Sequence, residues 1–76
     1  MSSIPMHPDY PMTADGETVH TPADLDLLLV MRWQILRPVR EVRGANGERL
    51  NARQLTRDAL LTFYGEEMFA RIWKDP

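Results

Sequence analysis

The chain contains no cysteine, so no disulfide staples it and no thiolate can ligate a metal or attack a substrate. That absence argues against a secreted mini-scaffold and fits a reducing cytoplasm. Serine occurs only as Ser2 and Ser3 at the chain end, and histidine only as His7 and His20. A general base needs a rigid support that holds it in geometry, and both histidines fall in a proline-broken segment instead. A metal site built from His7, Asp9 and His20 has no ligand spacing that coordination chemistry favours. A phosphate-cradling loop is missing as well, because Gly44-Ala45-Asn46-Gly47 is a turn sequence that does not lead into Lys-Ser or Lys-Thr. The expectation is a protein with no catalytic residues, no metal and no cofactor, and therefore not an enzyme.

Long apolar runs are also missing. The longest, Leu27–Met31, is far too short to span a bilayer. Met1–Tyr10 has no Lys or Arg and is interrupted by Pro5 and Pro8, which is not the pattern of a signal peptide. A soluble, cytoplasmic protein is expected. Lysine is nearly absent too, with Lys74 alone among nine basic residues. GC-rich coding explains that bias without any function; the functional explanation is that arginine's planar fork suits bidentate contacts to carboxylate or phosphate.

What is present is one short chain with segregated charge. Seventy-six residues make a single small domain, burying roughly 60% of the surface of its unfolded chain. Such a domain has little room for a deep cleft, and a second copy is one way to stabilise it. The segment up to Met31 carries five acidic residues (Asp9, Asp15, Glu17, Asp24, Asp26) and no Lys or Arg. Arg32 to Arg57 then holds seven arginines against Glu41 and Glu48.

The pattern of caps and turns predicts an α-dominated α+β fold. Residues 1–20 read as an irregular, acidic N-terminal arm, because their proline and polar content leaves little apolar surface to offset ordering. Within the arm, Asp15-Gly16 marks a turn, and Pro11–Thr13 and Glu17–Val19 are short extended stretches suited to a small hairpin. The globular domain is expected to occupy 21–76. Thr21 as N-cap and Pro22 as first helical residue start a helix over 22–36 that must stop before Pro38. Asn46-Gly47 predicts a β-hairpin over 39–50. Asn51 with Gln54 three residues on, in capping-box spacing, starts a helix over 52–64. Gly65 reads as its left-handed terminator, and Glu66 opens a last helix over 66–74.

Three surfaces are candidates for binding. The first helix is apolar around nearly its whole circumference, whereas an ordinary surface helix is apolar on one side. Either it is sandwiched at the centre of the fold, or Leu27, Leu28, Val30 and Met31 leave a face for a partner or a second copy. Arg37, Arg40, Arg43 and Arg49 cluster around the predicted hairpin, with Arg53 and Arg57 at i, i+4 on the next helix. They pair with the acidic arm, dock on an acidic protein, or neutralise phosphates. Net charge of −2 and an acidic pI of 5.5 speak against nucleic acid, as does the lack of aromatics in that segment for base stacking. The arm's carboxylates (Asp9, Asp15, Glu17, Asp24, Asp26) are the third surface, suited either to solvent or to a basic partner.

The reading that follows is a non-enzymatic protein-binding accessory protein: a stoichiometric inhibitor or adaptor, plausible as a homodimer. A phage- or plasmid-encoded inhibitor of a host nucleoprotein complex, of the anti-CRISPR type, has this general character, although no motif carries the comparison. The alternative is a small nucleic-acid-binding regulator using the arginine hairpin and the helix after it. A structural subunit of a larger assembly is the third.

Overall fold

The computed structural model describes residues 9–74 as an α+β domain of three helices and a four-stranded antiparallel sheet. Strands β1 (Met12–Ala14) and β2 (Glu17–Val19) form a hairpin, helix α1 (Pro22–Gln34) follows, and β3 (Val42–Arg43) and β4 (Arg49–Leu50) form a second hairpin. Helices α2 (Ala52–Tyr64) and α3 (Glu66–Ile72) complete the chain. The spatial order β2-β1-β3-β4 puts the two hairpins side by side, with β1 paired to β3 across the insertion of α1.

The N-terminal segment is thus not irregular throughout. From Met12 it is part of the sheet, and β1 is one of its two central strands. The local cause is Asp15-Gly16, where both residues take positive φ (49° and 88°), the signature of the tight hairpin turn whose twist matches the strands. Met12, Ala14 and Val19 then have a buried place, which supplies the apolar surface that composition alone made look insufficient.

The second hairpin turns differently from its sequence signal. Gly47 N–H donates to Gly44 O at 3.0 Å, so Ala45 and Asn46 are the central pair and Gly47, at φ 83°, follows as the bulge. Asn46 is not at positive φ, and the strands shrink to two residues each.

The helix starts match the chemistry of their caps. Thr21 Oγ1 accepts from Asp24 N at 3.1 Å, and Asn51 Oδ1 accepts from Gln54 N at 3.0 Å. The reciprocal half of the second cap does not form, because the Gln54 amide donates to Asp58 Oδ1 instead. Helix α1 ends at Gln34, two residues earlier than expected. Leu36 N–H donates to Trp33 O and Arg37 N–H to Arg32 O, the paired bonds of a Schellman stop, with Leu36 at φ 62° where glycine is usual. Gly65 has positive φ but ψ 165°, an extended conformation open to glycine alone, not the left-handed helical one expected. That geometry lets a single residue close α2 and open α3. Trp73 is extended, so α3 stops at Ile72 and not at Lys74.

The core lies between the helices and one face of the sheet. Ala14 and Val42 from the sheet, Leu25, Leu29 and Val30 from α1, and Ala59 and Leu60 from α2 are all buried. Val30, expected among the partner-facing residues, is 2% exposed and belongs to this core. Leu28 is half-buried against it. No helix among the described residues is long and apolar enough to cross a membrane.

Candidate functional site

Antiparallel register decides which side chains share the open face of the sheet. Thr18 is opposite Thr13, Thr13 opposite Arg43, and Arg43 opposite Arg49. Directly opposed residues point to the same side, so the outer face carries the row Thr18–Thr13–Arg43–Arg49. The neighbouring row, Ala14–Val42–Leu50, points into the core. Two like charges directly opposite one another destabilise a strand pair. Only one of them is answered here: Arg43 Nε lies 3.1 Å from Glu41 Oε1, and its Nη1 donates to Gly47 O at 3.0 Å. Arg49 is exposed and makes no ion pair among the described residues. Arg37 and Arg40 are exposed on the approach to β3, and neither side chain makes an ion pair among the described residues.

Arg53 and Arg57 are placed elsewhere. They lie one turn apart on α2 and meet two rings, Phe69 on α3 and Trp73 just past its end: the Arg53 guanidinium sits 5.0 Å from the Trp73 ring centre and that of Arg57 5.4 Å from Phe69. The two rings stack on each other at 5.7 Å. This arrangement fastens the short α3 onto α2 through cation–π contact, so the six arginines do not form one surface. Trp33, Pro38, Thr56 and Lys74 join Arg53 and Trp73 around a shallow cleft of about 410 Å³ beside this contact.

The acidic residues are likewise dispersed. Asp15 turns inward: its carboxylate accepts from Glu41 N at 2.9 Å, Arg40 N at 3.1 Å and Arg32 Nη2 at 2.9 Å. Arg32 also donates through Nε to Arg37 O, so one carboxylate ties the first hairpin to the end of α1 and the lead into β3. In the sequence Asp15 counts among the arm's surface carboxylates and Arg32 only opens the arginine segment; no local signal pairs residues so far apart. Glu17 and Asp24 are exposed, on β2 and in the first turn of α1. Asp26 faces α2, where burial and the nearby Asp58 carboxylate push its pKa up. Burial, Asp26 and Asp9 push up that of the Tyr10 phenol in turn.

Helix α1 exposes a second surface. Leu27, Met31 and Ile35, at i, i+4 and i+8, are 56%, 53% and 61% exposed, on the side away from Leu25 and Leu29. Phe63 of α2, 61% exposed, shares a shallow groove of about 370 Å³ with Leu27, Val30 and Ala59. Leu36, 88% exposed, stands just beyond Ile35.

Among the described residues no group of three or more His, Cys, Asp or Glu is gathered for a metal, and His7 of the His7–Asp9–His20 set lies outside them. Against known proteins the chain matches no family, no curated protein and no solved structure.

Proposed function

We propose that this chain acts by binding another protein non-covalently, presenting the Arg43–Arg49 face of its sheet to a carboxylate-bearing surface. The observation that supports this is the in-register pair itself. Like charges face each other across β3 and β4 at a cost to the sheet, and Glu41 compensates one of them. Local rules of stability are broken most often where a binding surface requires it. An acidic partner supplies the missing counter-charge to Arg49, and Arg40 and Arg37 extend the positive surface along the approach to β3. Carboxylates are favoured over phosphates as the target because Glu41 already places a negative charge on this face and no aromatic ring stands in the row for a base. The small size suits a stoichiometric inhibitor or adaptor, and the cysteine-free composition a cytoplasmic setting. No step of catalysis enters this reading.

Arg49→Glu tests it sharply, since the new carboxylate lies opposite Arg43 and steadies the hairpin. A protein captured from the native host by the wild-type chain should be lost with Arg49→Glu, while thermal stability holds or rises. Capture that survives the substitution overturns the assignment of the surface. Retention of labelled duplex at moderate salt, falling steeply as salt rises, moves the function to nucleic acid instead.

A further inference from the structure

We propose that the exposed apolar face of α1 is covered by the same face of a second copy of this chain, antiparallel about a two-fold axis at Met31. The face is apolar along Leu27, Met31 and Ile35, and its ends differ in charge. Asp24 lies on the same side of α1, seven residues before Met31, and no Lys or Arg precedes Arg32 in the chain. Arg37 lies six residues after Met31, and no Asp or Glu occurs from Leu27 to Arg40. At 1.5 Å per helical residue Asp24 stands roughly 10 Å before the centre, while Arg37, whose N–H closes onto Arg32 O beyond the helix end, stands at the opposite end of α1.

That polarity selects the orientation. A parallel pair of helices sets Asp24 against Asp24 and Arg37 against Arg37. A two-fold antiparallel pair sets each Asp24 against the other copy's Arg37, twice, and opposes the helix dipoles favourably. Leu27 of one copy then lies opposite Ile35 of the other. The groove beside Leu27, walled by Phe63 and Ala59, is where that Ile35 seats. A standard interface covers about 800 Å² per partner, a modest share of the 5864 Å² surface of this chain. Leu36 and Phe63, both largely exposed, add apolar surface beside the stripe. Arg37 is the one residue that the dimer shares with the sheet-face reading; Arg43 and Arg49 do not lie on α1.

Sedimentation equilibrium of the full chain from about 5 to about 200 µM should give twice the 8.8 kDa chain mass. Met31→Glu should return the single mass with its helical circular dichroism intact, because Met31 is already 53% exposed. Asp24→Arg and Arg37→Asp should each raise the dissociation constant about tenfold, through two equivalent contacts per dimer. The two together in one chain should restore it. Arg49→Glu should leave the mass doubled, which separates failure here from failure of the sheet face. A single-chain mass for the wild type at the highest concentration overturns the proposal. So does a dimer indifferent to Met31→Glu, or a doubly reversed variant as weak as either single one.

Discussion

The carboxylate of Asp15 receives two backbone amides and one guanidinium while its own backbone turns a hairpin at φ 49°. Burial works to raise its pKa, but the Glu41 and Arg40 amides and the Arg32 guanidinium outweigh it and hold the group below its ordinary value. A depressed carboxylate pKa stabilises the fold above the unfolded group's pKa, and that stability is lost as pH falls through the carboxylate range. The urea midpoint should therefore drop between about pH 5 and about pH 3, and Asp15→Asn should flatten that drop. Asp15→Ala should lose about 1–2 kcal/mol at neutral pH, because three charge-assisted bonds disappear from a site only 24% exposed; chemical denaturation measures it. None of this was legible in the sequence. Asp15-Gly16 announces a turn, but the amides it reaches lie twenty-five and twenty-six residues away, and only the folded sheet brings them near. The same holds for Val30 and Met31: they are chain neighbours of similar hydropathy, and only packing decides that one is core and the other surface.

Among the elements, the helix starts were the most readable features and the helix ends the least. Thr21-Pro22 and Asn51 act within three residues, so the chemistry that caps the helix is visible in the sequence beside it. The end of α1 carries no such mark, since the left-handed position is filled by Leu36 and not by glycine. A non-glycine residue there costs about 1–2 kcal/mol, and 88% exposure returns little packing to Leu36. Leu36→Gly should accordingly raise stability by about 1 kcal/mol in thermal or urea unfolding. A loss instead would mean that the leucine side chain contributes more than its exposure indicates. The hairpins show the same division. Asn46-Gly47 signals a reversal correctly, yet the turn type is set by the Gly44 to Gly47 bond, and the strand count by the pairing of β1 with β3, which no local pattern encodes.

At the scale of the whole molecule, the N-terminal hairpin is structural and not an appendage, since β1 separates β2 from β3 and contributes Met12 and Ala14 to the core. Deleting residues 1–20 should abolish the cooperative unfolding transition in calorimetry, while the rest retains helix without fixed packing. A truncated chain that still melts sharply would show that α1, α2 and the second hairpin suffice. The sheet order also bears on how the protein is made. β1 leaves the ribosome early, but its partner residue Arg43 is synthesised thirty positions after Thr13. At roughly 5–20 residues per second, that strand waits on the order of seconds with one edge open. The carboxylate of Asp15 waits equally long for the amides it will hold. The sheet therefore cannot assemble strand by strand as the chain is made: β1 is completed only after α1 and β3 have followed it.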